Sequence, residues 1–170
     1  MQERTGIITM GGAPMTLVGA TPKVGERAPA FTVLDSGLAE KGLADFAGKV
    51  KVISVAPSLD TPVCSLQLRW FNEDAAKRPD GVAVLNVTMD LPFAIKRFCA
   101  VEGIEAALAL SDHRDASFGT AYGVLIKELR LLARSIFIID RDDVLRYVQI
   151  VPEVTNEPDY DHAMKALDQL

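Results

Sequence analysis

Three short, mostly apolar runs constrain this 170-residue chain most: Val50–Ala56, Gly81–Thr88 and Ser135–Asp140. They are rich in β-branched residues and too continuously apolar to alternate between a wet and a dry face. Each therefore reads as a strand covered on both sides. The stretch from about Pro62 toward Lys77 reads as a helix. So does Leu91–Val101, with Pro92 tolerated in its first turn and Gly103 as a stop. Buried strands separated by helices predict an α/β fold, a central mixed sheet with helices on both faces.

Other elements attach to that frame. Gly6–Met10 and Met15–Val18 flank a Gly11-Gly12-Ala13-Pro14 turn and predict an N-terminal β-hairpin. A short strand is expected at Phe31–Leu34, before a turn at Asp35-Ser36-Gly37. Ala107–Leu110 reads as a short strand and Asp115–Tyr122 as a short helix. Arg141-Asp142-Asp143 turns the third apolar run into Val144–Val151, and Asp159–Leu170 reads as a closing helix after Pro158.

The length suits one domain over residues 1–170, large enough to bury a core unaided. A formal net charge of -5 with interspersed signs argues against general nucleic-acid binding, which needs clustered Lys and Arg. No run is long and apolar enough to span a bilayer. The first twenty residues do not read as a secretion signal, because Glu3, Arg4, Gly11, Gly12 and Pro14 interrupt them. A cytoplasmic location is the expectation. Cys64, Cys99, His113 and His162 have no close ligand spacing, so neither a metal nor any other cofactor is expected. Two cysteines are too few for a secreted disulfide scaffold, so in a reducing compartment they are either inert or catalytic.

The chemistry concentrates in Pro57-Ser58-Leu59-Asp60-Thr61-Pro62-Val63-Cys64. Pro62 suits the first helical position and makes Thr61 the N-cap, its hydroxyl free to accept from backbone N–H groups. Cys64 then lies in the first turn, where free N–H groups and the helix dipole favour negative charge. The thiolate is the reactive form of cysteine. Strand C-terminal ends are also where α/β sheets bind ligands. Against this stands the plain alternative that Cys64 is a small buried hydrophobe.

The Pro57-x-x-x-Thr61-x-x-Cys64 pattern resembles the active-site motif of peroxiredoxins. Ala56–Cys64 is similar in detail to the atypical two-cysteine subgroup, the bacterial thiol peroxidases. So are Asp90-Leu91-Pro92-Phe93-Ala94-Ile95-Lys96-Arg97-Phe98-Cys99 and the tail Thr155–Tyr160. The resemblance spans nearly the whole chain and implies a thioredoxin-like fold. It implies that Cys64 is the peroxidatic cysteine, attacking a hydroperoxide and becoming a sulfenic acid. It gives Thr61 the task of hydrogen-bonding thiolate and peroxide, and Pro57 that of shielding the sulfur. It asks for an arginine from a distant strand. Arg134 is the candidate and Arg130 its rival, in a 122–134 stretch a few residues shorter than the subgroup's. Cys99, 35 positions after Cys64, would be the resolving cysteine of an intrachain disulfide. Hydrogen peroxide and alkyl hydroperoxides as substrates, thioredoxin as reductant and a homodimer follow from the same resemblance.

His113 and His162 read as surface residues. Trp70, Phe71 and Phe93 read as core or interface residues. Three other functions compete: a redox-sensing interaction protein, a structural domain with inert cysteines, and a thiol–disulfide oxidoreductase. The last usually carries Cys-x-x-Cys, whereas Cys64 is followed by Ser65-Leu66-Gln67.

Overall fold

Strand β5 (Val50–Val55) lies in the interior of the sheet and is buried at every position. It pairs in parallel with β6 (Val82–Thr88), which pairs in parallel with β7 (Leu108–Ser111). On its other edge β5 runs antiparallel to β10 (Ser135–Ile139), followed by β11 (Leu145–Ile150). The two-residue strands β3 (Val33–Leu34) and β4 (Glu40–Lys41) complete a seven-stranded mixed sheet beyond β7. The computed structural model describes residues 1–170.

The alternation of side chains along these strands divides the core in two. Ile53, Val55, Leu85, Val87, Phe137 and Ile139 face one cluster, completed by Phe118 and Tyr122 around the short helix α3 (Ser117–Ala121). Val50, Val52, Val84, Ile136 and Ile138 face the other. Over that second face lie α1 (Pro62–Ala76), α2 (Pro92–Glu102) and α4 (Tyr160–Leu167). Helix α1 buries Cys64, Leu68 and Phe71 at a helical repeat. Burying each large aliphatic side chain contributes about 1.5–3 kcal/mol. Helix α2 ends at Gly103, whose φ of 68° suits the left-handed cap.

A second sheet forms from the N-terminal hairpin, β1 (Glu3–Met10) and β2 (Ala13–Val18). It joins the miniature hairpin β8 (Leu125–Ile126) and β9 (Leu131–Leu132) in the order β1-β2-β8-β9. The turn is tighter than its sequence suggests. Gly11 and Gly12 alone make it, both at positive φ, while Ala13 and Pro14 already belong to β2. The 31–34 strand shortens to Val33–Leu34, and the 123–133 stretch, which showed no strand pattern, folds as β8 and β9. No helix is long and apolar enough to cross a membrane.

Candidate active site

Strand β5 ends at Val55, and the Ala56 N–H still donates to the Val87 carbonyl of β6 at 3.2 Å. Pro57 cannot donate, so pairing stops there. The chain then crosses the strand ends and enters α1 at Pro62, with Thr61 in an extended N-cap conformation. The cap differs from the expected one. The Thr61 hydroxyl accepts no backbone N–H and instead donates to the Ser58 carbonyl at 3.0 Å. Pro62 has no N–H to offer, and those of Val63 and Cys64 take no acceptor from the protein. The first turn of α1 thus presents unpaired donors beside the Cys64 sulfur, which is wholly buried.

Arg134 follows β9 and immediately precedes β10, and it too is buried, with 2% of its surface exposed. Its Nη2 donates to Cys64 Sγ at 3.3 Å, its Nη1 to Gln67 Oε1 at 2.7 Å and its Nε to the Val154 carbonyl at 2.8 Å. Gln67 is one helical turn beyond Cys64, on the same buried face of α1. Its Nε2 donates to Ser54 Oγ at 2.7 Å and the Val55 carbonyl at 3.2 Å. The guanidinium is therefore aimed at the sulfur by a frame of neutral acceptors. The sequence signal for this role of Gln67 is its spacing of three from Cys64. Arg130 is exposed, at a turn with φ 51°, and does not join this group.

Pro57, Thr61 and Arg134 meet in the wall of a small cavity of about 160 Å³, with Met10, Pro62, Val63, Val154 and Thr155. Met10 comes from the end of β1. The Glu153 carboxylate holds it there, accepting from Thr9 Oγ1 at 2.6 Å and from the N–H groups of Gly11 and Gly12 at 2.8 and 3.0 Å. The Thr9 hydroxyl, with the Thr155 hydroxyl and the Gly12 N–H, holds the carboxyl well below its usual range. A larger hollow of about 520 Å³ beside Arg141 and Arg146 contains neither cysteine.

Cys99 lies in the last turn of α2, half-buried beside Phe98 against the second core. Burial pushes its thiol above the ordinary value. Both cysteines are free thiols. Trp70 and Phe71 pack with Tyr160 from α4, Trp70 stacking on it at 4.4 Å, whereas Phe93 is exposed. His162 is exposed, but His113 is half-buried, with its Nδ1 2.9 Å from Ser111 Oγ. No group of three or more His, Cys, Asp or Glu is arranged to hold a metal ion.

The Redoxin family matches residues 23–164 of this chain. A thiol peroxidase of Halalkalibacterium halodurans is 58% identical over 159 residues, 94% of this chain and 95% of that one. A Bacillus subtilis thiol peroxidase is 54% identical over 163 residues, covering 96% and 97% of the two chains. The crystal structure of a peroxiredoxin-like protein from Aquifex aeolicus superposes with a TM-score of 0.89 at 44% identity, over 98% of each chain. A thioredoxin-like sheet, a cysteine at a helix start and agreement along nearly the full length place this chain in the Redoxin family, as a peroxidase of the peroxiredoxin type.

Proposed function

We propose that the chain reduces hydrogen peroxide and alkyl hydroperoxides through a Cys64 sulfenic acid and an intrachain Cys64–Cys99 disulfide, which thioredoxin reduces. The observation that carries this is the Arg134 guanidinium 3.3 Å from the buried Cys64 sulfur. A fixed cation favours the thiolate and can orient peroxide oxygens through its donors.

The Cys64 thiolate attacks the terminal oxygen of the hydroperoxide. The S–O bond forms, the O–O bond breaks, and the departing alkoxide or hydroxide takes a proton to leave as alcohol or water. Sulfur is oxidised by two electrons. Thr61 and the free N–H groups of the first turn serve the reacting oxygens, and Pro57 screens the sulfur from water. The Cys99 thiolate then attacks the sulfenic sulfur. The S–S bond forms, the S–O bond breaks, and hydroxide leaves with the thiol's proton as water. A dithiol of thioredoxin supplies the two electrons that close the cycle.

The apolar side chains of Met10, Val63 and Val154 around the cavity support a substrate with an alkyl tail. Residues 1–170 act as one domain on this reading, in the cytoplasm, where a reductant keeps both thiols free. Leu91 and Phe93, 54% and 67% exposed at the start of α2, support a homodimer.

The deciding experiment is a peroxidase assay coupled to a thioredoxin system, with wild type, Cys64→Ser and Cys99→Ser. Cys64→Ser should fold and show no turnover. Cys99→Ser should consume one equivalent of peroxide and stall. Sustained turnover by either variant overturns the assignment.

A further inference from the structure

Asp90 lies between β6 and α2, and its carboxylate reaches back to the loop that precedes α1. Oδ1 accepts from Ser58 Oγ and Oδ2 from the Leu59 N–H, both at 2.7 Å. These are the only hydrogen bonds joining residues 57–61 to anything beyond that loop and the helix it opens. Ser58 passes the restraint on. Its Oγ accepts from the Asp60 N–H at 3.2 Å, and its carbonyl accepts from the Thr61 hydroxyl at 3.0 Å. Asp90 is itself fixed to the sheet. Its N–H donates to Thr88 Oγ1 at 3.2 Å, and its carbonyl accepts from Ser111 Oγ at 2.5 Å.

The two segments joined here are those that carry the two cysteines. The loop bearing Pro57 and Thr61 leads directly to Cys64, and Asp90 leads directly into the helix whose last turn carries Cys99. A disulfide between them requires the first turn of α1 to open, because Cys64 starts wholly buried. The opening must release this loop.

We propose that Asp90 is a positioning residue whose carboxylate latches the loop in the form that meets peroxide. Its strength divides the Cys64 sulfenic acid between two fates, attack by Cys99 and further oxidation by a second peroxide. The proposal rests on the functional reading above. Asp90→Asn keeps an oxygen for Ser58 but sets an N–H donor against the Leu59 N–H. It therefore loosens the latch without changing its size.

The experiment uses the full chain and rapid mixing with hydrogen peroxide. Fluorescence of Trp70, the sole tryptophan, follows oxidation as a peroxide-dependent phase and disulfide formation as a peroxide-independent one. In Asp90→Asn the first phase should slow about tenfold while the second accelerates by a similar factor. Mass spectrometry should find less Cys64 sulfinic acid at excess peroxide. Ser58→Ala removes one of the two bonds and should move both phases the same way by less. It also keeps the test open if Asp90→Asn does not fold. A merely structural role would leave both phases unchanged or slow them together, and either result overturns the latch alone. A wild type without a peroxide-independent phase overturns the resolution chemistry itself, and the latch with it.

Discussion

Replacing Gln67 with Met should slow oxidation of Cys64 although no group proposed to touch peroxide is altered. Gln67 holds Arg134 Nη1 at 2.7 Å and is itself held by Ser54 and Val55. Met has similar length and volume but cannot take the place of the amide oxygen. The guanidinium would keep its Nε bond to Val154 as a pivot and swing away from the sulfur. At 3.3 Å and an effective dielectric constant of about 20, its attraction for a thiolate is about 5 kcal/mol. A swing to about 4.3 Å leaves about 3.9 kcal/mol. The difference, about 1.2 kcal/mol, corresponds to roughly sevenfold in rate if the same attraction serves the transition state. Stability should fall too, since the buried Ser54 hydroxyl and Val55 carbonyl lose a donor, at about 1–3 kcal/mol for each group left unpaired. Stopped-flow oxidation by hydrogen peroxide measures the rate, and circular dichroism confirms the fold. A folded, less stable Gln67→Met that reacts at the wild-type rate would refute the claim that this frame aims Arg134.

Arg134→Ala and Thr61→Val should each lose at least about tenfold in second-order rate, about 1.4 kcal/mol of transition-state stabilisation; near-normal kinetics for Arg134→Ala would remove it from the mechanism. Burial favours the protonated form of Cys99, and only the thiolate resolves the sulfenic acid, so disulfide formation should accelerate as pH rises through the thiol range. A flat profile for that step between pH values of about 6 and 9 would contradict this. Burial pushes the Asp112 carboxyl up to about 6, against the pull of the Phe118 and Gly119 N–H groups. Its neutral form therefore favours folding, a contribution complete below the unfolded value and lost as pH rises through about 6. Between about pH 4 and 7, wild type should lose about 2 kcal/mol relative to Asp112→Asn in urea titrations, and a gap that grows in favour of wild type would refute the sign.

The runs that read as strands in the sequence are those whose pattern reflects burial on both faces, as in Val50–Val55 and Ser135–Ile139. Strands β8 and β9 have two residues each, too few to show a period, and exist because β2 offers an edge to pair with. The placement of Thr61 and Cys64 at a strand-to-helix turn is legible locally, whereas the roles of Pro57, Thr61 and Cys64 come from the resemblance. Arg134 required the resemblance, since nothing local to Leu131–Ser135 says that its side chain reaches α1. Gln67 and Glu153 do not stand out in the sequence, because a polar residue on a helix or in a loop ordinarily reads as solvated surface. Gln67 is instead buried, and its amide has partners on both sides. The Thr61 hydroxyl donates to the Ser58 carbonyl and accepts no backbone N–H, because acceptor and donor roles are equally open to it until that carbonyl is in place.

The two buried cations of this chain are compensated differently. Lys51, wholly buried, has the carboxylate of Asp143 at 2.5 Å. Arg134 has two neutral oxygens and a sulfur. On the proposed chemistry, the Cys64 thiolate is its counter-charge, and that charge disappears at the first oxidation. Sulfenic acid and disulfide alike leave the guanidinium in the interior with dipoles alone, a costly arrangement for a desolvated ion. The closed packing is then favoured by a matched ion pair in the reduced chain and weakened by an unmatched cation in the oxidised one. Loss of a single negative charge would thus tell the protein that its sulfur has reacted, and the reductant's return of two electrons would restore neutrality and closure together.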